Sequence, residues 1–346
     1  MNEERPKSGS PSARPSDPPA ATLRVGIALG TWRTAVVASN GAREHFGSLV
    51  GWPRSAGARK LLGTDVLIGA EAFRFRLAVD LARPFEGGVV PGTEAFGSAA
   101  EREVHLRAVA DLIRRAVRLA RVAPGERVAG VLGVPAQAAR LSRDLLIQAG
   151  SESMTVTEVV PEAWLAGRAA GAPAGAIVVD IGAGATVVCK LTPEPPGEGD
   201  LVVIPGGGDA IDLDLLKRLR EKLPNGEFTV SGIRDLKERY GCLIDTDSAL
   251  VGLPVAGRTA PVDVAESVSA ASRAPLAGIV AAVKTLWPGG TTAESTIVLA
   301  GCGGQLKGLD LMLAEGLKAL GGGRVLRVAD PVFAGAEGAL ARTTAK

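Results

Sequence analysis

Residues 177–188 read IVVDIGAGATVV: a β-branched apolar run ending in Asp180, a turn of Gly182, Ala183 and Gly184, and a second β-branched run. A buried strand leading into a Gly-rich turn lets backbone N–H groups face a phosphate while the carboxylate reaches a metal ion or its water. The plan recurs near the start of the chain, where VGIALGT at 25–31 precedes a strand-like run from Thr34 to Ala38. Two such hairpins imply two related half-domains gripping one nucleotide between them.

With 346 residues, 46% of them hydrophobic, the chain is long enough to form two domains with a large core. Aromatic residues make up only 3%, so that core is built from Ala, Val, Leu and Ile. Lys and Arg number 39 against 37 Asp and Glu, a balance that gives no reason to expect nucleic acid as a partner. Cys189, Cys242 and Cys302 follow no zinc or redox spacing and read as buried small hydrophobes in a reducing compartment. Residues 1–21, rich in Pro, Ser and charge and without an apolar stretch, read as a disordered tail rather than a signal peptide. No run approaches the ~18 apolar residues of a membrane span. The expectation is a soluble, cytoplasmic protein.

Strands are expected at 23–28, 34–39 and 48–55, followed by an irregular small subdomain over 57–97. Val109, Leu112, Ala116 and Leu119 recur at helical spacing and predict a helix from Glu101 to Arg121. Strand 128–133, helix 138–149, strand 155–160 and helix 162–170 then alternate as in an α/β fold. A hairpin over 176–191 opens the second half, with TPEPPGEG at 192–199 as a surface turn. Helices at 210–222, 231–240 and 264–286, strand 295–299, and a final helix, strand and helix complete the reading.

Four glycine-containing loops are candidates for ligand contact: LGT at 29–31, DIGAGAT at 180–186, GGGD at 206–209 and AGCGG at 300–304. Glycine after a strand is by itself most often a plain tight turn. The order of the four is more telling, because the last precedes a helix expected to begin at Gln305, and a helix N-terminus offers free N–H groups to phosphate or ribose oxygens.

In this order the loops resemble those of the actin superfamily, and within it the bacterial actin-like proteins. Gly30, Thr31 and Trp32 fall in what looks like the phosphate-1 motif, and Asp180, Gly182, Ala183 and Gly184 in phosphate-2. LAGCGGQLKGL at 299–309, with Gly301, Gly303 and Gly304, resembles the adenosine motif. GGGDAID at 206–212, with Gly207, Gly208 and Asp209, is similar to the Gly-Gly-Asp turn that opens the second domain's outer lobe. LKERYG at 236–241 resembles the helix that contacts adenine, which maps those contacts to Lys237 and Glu238. SLVGWPR at 48–54, KLLG at 60–63, IGAEAF at 68–73 and the run at 80–89 are most similar to the magnetosome-associated branch of actin-like filament proteins, with the cell-shape branch next.

The resemblance spans about 22–342 and implies a duplicated, ribonuclease H-like α/β fold with a central nucleotide cleft. It implies domain I over 22–160, with a small subdomain at about 52–97 and the C-terminal helix 331–346 returning to it. Domain II then covers 161–330, with an outer lobe at about 205–294. ATP and Mg²⁺ are the implied cofactors, Asp180 the metal-associated acid, and Glu162 in VVPEAW the acid that orients the attacking water. A Glu in a helix's first turn also favours the macrodipole, so the structural reading of Glu162 stays open. The implied partners are further copies of the chain in a filament, and an acidic adaptor on an organelle.

Two departures fall in the cleft. The family's phosphate-1 acid is Ala28 here, and the second phosphate-2 acid is Val187. Phosphoryl transfer rests on positioning and charge neutralisation, so losing such groups weakens hydrolysis while backbone N–H groups still bind phosphate. Arg33 is a candidate to pair with a phosphate in compensation, or else an outward-facing side chain. Arg107, Arg114, Arg118 and Arg121 form a candidate basic stripe on the 101–121 helix, with a solvated face as the simpler reading. Beside the filament reading stand a non-polymerising adaptor of the same fold and a small-molecule kinase.

Overall fold

The computed structural model describes residues 22–88, 98–244, 248–292 and 294–344. The tail expected at 1–21 and the end of the 80–89 run lie outside the described residues. The first half begins with strands β1 (Thr22–Leu29), β2 (Arg33–Ala38), β3 (Arg43–Gly47) and β4 (Val50–Pro53). Helix α1 (Ala56–Leu62), β5 (Leu67–Ile68), α2 (Ala70–Arg74) and β6 (Val79–Ala82) follow. Next come α3 (Ala99–Leu119), β7 (Arg127–Val134), α4 (Ala136–Leu141), α5 (Arg143–Gly150), β8 (Thr155–Pro161) and α6 (Glu162–Ala169).

The second half runs β9 (Ile177–Ile181), β10 (Ala185–Lys190), β11 (Leu201–Pro205), α7 (Gly208–Lys222) and α8 (Val230–Tyr240). It continues with β12 (Leu250–Val255), β13 (Arg258–Asp263), α9 (Ala265–Arg273) and α10 (Leu276–Leu286). It closes with β14 (Thr296–Ala300), α11 (Leu309–Lys318), β15 (Arg324–Arg327) and α12 (Ala334–Arg342).

Two five-stranded sheets share one plan. The first has the order β3-β2-β1-β7-β8 and the second β11-β10-β9-β14-β15. In each, the first three strands form an antiparallel meander and the last two join in parallel. The duplication expected from the two hairpins is therefore present in the strand order and in the sense of every pairing.

The register adds a comparison internal to the chain. Ala28 pairs with Ala35 two residues before the first turn, and Asp180 pairs with Val187 two residues before the second. Ala28 thus occupies in the first half the place that Asp180 holds in the second.

Several elements differ from the sequence reading. Strand β3 was not expected, because its polar residues Arg43, Glu44 and His45 hide it; it is an edge strand, where such residues are tolerated. The stretch 57–97 is more regular than expected, since α1, α2 and the sheet β5-β4-β6 lie in it. The helix expected at 138–149 is broken at Ser142, and that at 264–286 at Pro275, which has no N–H to continue a helical ladder. Strand β11 and the β12–β13 hairpin were also missed. The hairpin's two-residue turn is Ala256-Gly257 with φ of 50° and 72°, and alanine is not a residue that announces a left-handed turn.

Ser98 caps α3 reciprocally with Glu101, which starts the helix two residues before the expected Glu101. Val109, Leu112 and Ala116 are buried as their spacing implied. Three of the four stripe arginines are engaged: Arg107 lies over the Trp52 ring, Arg114 pairs with Asp111 and Glu152, and Arg121, just past the helix, pairs with Glu44.

The last helix returns to pack on the first half. α12 lies against β1 and α6, and its approach is so close that side chains would not fit. A Cβ on Gly26 would stand 2.1 Å from the Ala336 carbonyl oxygen, and one on Gly338 would stand 2.1 Å from that of Leu165. Arg342 then anchors the end of α12 to Glu158 on β8, at 3.0 Å, and to Glu194, at 2.7 Å.

Candidate functional site

A cleft of about 320 Å³ opens between the two sheets, lined by both hairpin turns, the start of α6, α7 and α8, and the loop after β14. Its volume falls within the ~300–1,000 Å³ typical of small-molecule sites. The two turns are closed by the same hydrogen bond: Gly30 N–H donates to the Arg33 carbonyl at 3.0 Å, and Gly182 N–H donates to that of Ala185 at 3.1 Å. They face one another at contact distance, with a Cβ on Gly184 falling 3.0 Å from Thr31 Cγ2.

The second turn has its carbonyls drawn away from the cleft. Gly208 N–H donates to the Gly182 oxygen and Asp209 N–H to that of Ala183, both at 2.9 Å, and Gly206 N–H to that of Gly184 at 3.1 Å. Among the described residues the amides of Ala183 and Gly184 have no backbone partner, and neither have those of Thr31 and Trp32. Four amides at two facing turn tips form a cradle for an anion such as a phosphate chain.

The glycines around this cradle hold it by being absent side chains. A Cβ on Gly207 would meet the Gly182 oxygen at 2.3 Å, so Gly207 lies behind the second turn and not in the cleft itself. Gly301 has φ of 68°, and its Cβ would stand 2.4 Å from Asp180 Oδ1. Gly303 packs on Ile181 in the same way, at 2.3 Å from Cγ2. Gly304 is buried with its carbonyl bound by Arg327, away from the lining. The segment at 302–305 is a 3₁₀ turn, and the helix proper, α11, begins at Leu309 rather than Gln305.

Glu162 is the first residue of α6, and Asp180 lies near the end of β9; both line the cleft. A Cβ on Gly30 would stand 3.7 Å from Glu162 Oε2, which places that carboxyl beside the first turn. Gly335 of α12 backs it, since a Cβ there would meet Glu162 Cγ at 2.6 Å. Burial, with the Asp180 charge beside it, pushes Glu162 up to about 8, and burial also raises Asp180. Neither acid has an ion-pair partner among the described residues. Both acids therefore hold their protons more tightly than free carboxyls, and a cation bound beside them would favour their charged forms.

A stability consequence follows from the sign of these shifts. A carboxyl whose folded pKa lies above its unfolded value favours the fold at acid pH and loses that contribution as pH rises towards the folded pKa. In nucleotide-stripped protein, Glu162→Gln is expected to match the parent in Tm at pH 5 and to exceed it by a few degrees at pH 8.5. A Tm difference that stays constant across that range in thermal melts would contradict it.

The candidates on α7 and α8 are brought to the cleft but engaged there. Lys237 Nζ lies 2.6 Å from Asp212 Oδ1 and donates to the Gly208 oxygen at 2.8 Å. Glu238 lines the cleft next to it. Asp209 pairs with Arg234 at 2.7 Å, and burial nevertheless raises its carboxyl. Trp32 lies at the cleft with one guanidinium, Arg234, 3.8 Å from its ring centroid and another, Arg83, at 4.6 Å. Trp32 therefore links the first turn to α8 across the opening.

Arg234 escaped the sequence reading. Its signal was a pair of acids at 209 and 212 on one helix and a pair of cations at 234 and 237 on the next, each three residues apart. Cys302, expected to be buried, is exposed on the wall of the cleft, while Cys189 and Cys242 are buried as expected. Among the described residues no three His, Cys, Asp or Glu side chains gather as a metal cage, and no helix is long and apolar enough to cross a membrane.

No family model matches the chain. Over 324 residues it is 31% identical to the actin-like protein MamK of Paramagnetospirillum magneticum, covering 92% of this chain and 91% of that protein. A MamK double helical filament matches at a TM-score of 0.84 and 30% identity, over 94% of this chain and 99% of that one. A non-polymerising MamK mutant bound to AMPPNP matches at a TM-score of 0.75 and 30% identity, over 95% and 100% of the two chains.

Proposed function

The chain belongs to the MamK family of actin-like proteins, and on that footing we propose that it binds ATP in this cleft and assembles into filaments that position an intracellular structure. Magnetosome chains are the structure that the family name favours. One observation carries the nucleotide reading: two hairpin turns meet at Thr31 and Gly184 with four unpartnered amides at their tips. The similar MamK mutant bound to AMPPNP supports it. Filament formation draws support from the similar double helical filament and from Leu61, Phe73 and Leu77, which the small β5-β4-β6 subdomain leaves exposed.

Asp180 would be the residue to hold Mg²⁺, because magnesium keeps much of its hydration shell and takes only one or two carboxylates besides phosphate oxygens. When bound, the ion neutralises charge on the phosphate chain. Glu162, with a proton affinity raised by burial, would orient an attacking water, and the turn amides would hold the phosphates. Ala28 and Val187 stand where the family has two acids, so hydrolysis is weak or absent while binding is kept.

Removing one preorganised electrostatic group commonly slows a reaction about 10²- to 10³-fold. Phosphate release is therefore expected to fall far below that of ordinary bacterial actins. Pelleting and electron microscopy with ATP and with AMPPNP are expected to show filaments in both. Rapid phosphate release would overturn the hydrolysis reading, and no filaments in either nucleotide would overturn the assembly reading.

A further inference from the structure

The cleft's cations are not equivalent. Arg234 and Lys237 are held by Asp209 and Asp212 on α7, so their charge is largely spent within the outer lobe. Arg33, the first residue of β2, lines the same cleft and has no carboxylate within ion-pairing distance among the described residues. Its Nη1 reaches across to the opposite wall and lies 3.4 Å from Cys302 Sγ in the loop after β14. It thus spans the space between the first turn, whose closing bond it accepts through its own carbonyl, and the loop packed on Asp180.

A thiol is a weak acceptor, and a guanidinium left on one in a half-buried cleft is poorly satisfied. The planar fork of arginine fits phosphate oxygens in a bidentate manner. The charge lies near the acids as well: burial raises the proton affinity of Cys302, Arg33 lowers it and Asp180 and Glu162 raise it, so all four groups share one small volume. The first half lacks an acid at Ala28 to help hold a metal ion, and places a fixed cation five residues further on.

We propose that Arg33 is a built-in cationic ligand for the polyphosphate of the bound nucleotide, supplying part of the neutralisation that a magnesium ion would otherwise provide. The proposal rests on the nucleotide reading above and adds that ATP binding here depends only weakly on magnesium. Arg33 leaves Cys302 for the phosphate chain when nucleotide enters.

Isothermal titration calorimetry of the full chain with ATP and with AMP, each in MgCl₂ and in EDTA, tests it. The parent is expected to keep its ATP affinity within about 10-fold when EDTA replaces magnesium. Arg33→Gln is expected to lose about 10- to 100-fold in ATP affinity in EDTA, the scale of a charge-assisted hydrogen bond, and less in magnesium. Its AMP affinity should stay unchanged, and Arg33→Lys should recover part of the loss.

Equal ATP affinity for Arg33→Gln and parent in EDTA would overturn the proposal while leaving the nucleotide reading intact. So would equal losses for ATP and AMP, which mark a structural role, or a parent that binds ATP only with magnesium. A parent that binds neither nucleotide under any condition would overturn both.

Discussion

Gly338→Ala is expected to destabilise the chain by about 3 kcal/mol, the upper range for forcing an extra carbon into a packed interior. The added Cβ would stand 2.1 Å from the Leu165 carbonyl oxygen and 2.6 Å from its carbon, both backbone atoms of α6 that no rotamer change can move aside. Relief requires α12 to withdraw from α6, and α12 also presses on Gly26 of β1 and backs Glu162 through Gly335. Urea unfolding should show a lower midpoint, and ATP affinity should fall in whatever fraction folds. Gly289→Ala serves as the control, because a Cβ there meets nothing within 4 Å. It should stay within about 0.5 kcal/mol of the parent. Equal stability of the Gly338→Ala protein and the parent would refute this account of how α12 packs on α6.

Asp212→Ala is expected to cost about 3–5 kcal/mol, the penalty for removing one partner of a buried ion pair. The Asp212 side chain is 5% exposed and faces two cations on α8, Arg234 at 3.1 Å and Lys237 at 2.6 Å. Arg234 keeps Asp209, but Lys237, 12% exposed, is left with one carbonyl. Much of the cost is therefore an uncompensated ammonium, and Asp212→Ala combined with Lys237→Met should recover part of it. The single variant should also loosen Arg234 from the Trp32 ring, which a change in tryptophan emission would report. A double variant no more stable than the single one would mean that Lys237 is not the group left in deficit.

What was readable in the sequence was local. IVVDIGAGATVV and VGIALGT declare their strands and turns because β-branched runs and glycine act over a few residues, and both hairpins are present with one closing bond each. The resemblance of these stretches to a known family implied a metal-associated role for Asp180 and a missing acid at Ala28, and the register of the two sheets puts these two residues at equivalent positions. The breaks at Ser142 and Pro275 were harder, since apolar spacing continues across them. Strand β3 was invisible because an edge strand facing solvent carries polar residues like any loop.

Long-range placements could not be read in this way. AGAEGALAR at 334–342 is only a small-residue helix in the sequence; that its glycines fit against β1 and α6 depends on two elements far away in the chain. Lys237 was assigned to adenine by resemblance, and only the packing of α8 on α7 shows its charge held by Asp212. Arg33 had two open readings, outward or into the cleft, and the approach of the loop after β14 decides between them.

The sequence by itself determined a duplicated α/β chain with paired glycine turns, Asp180 before one and Ala28 before the other, because strand and turn formation depend on near neighbours. Only the tertiary structure decided which charges remain available in the cleft, because desolvation and ion pairing depend on the groups that folding brings together from distant parts of the chain.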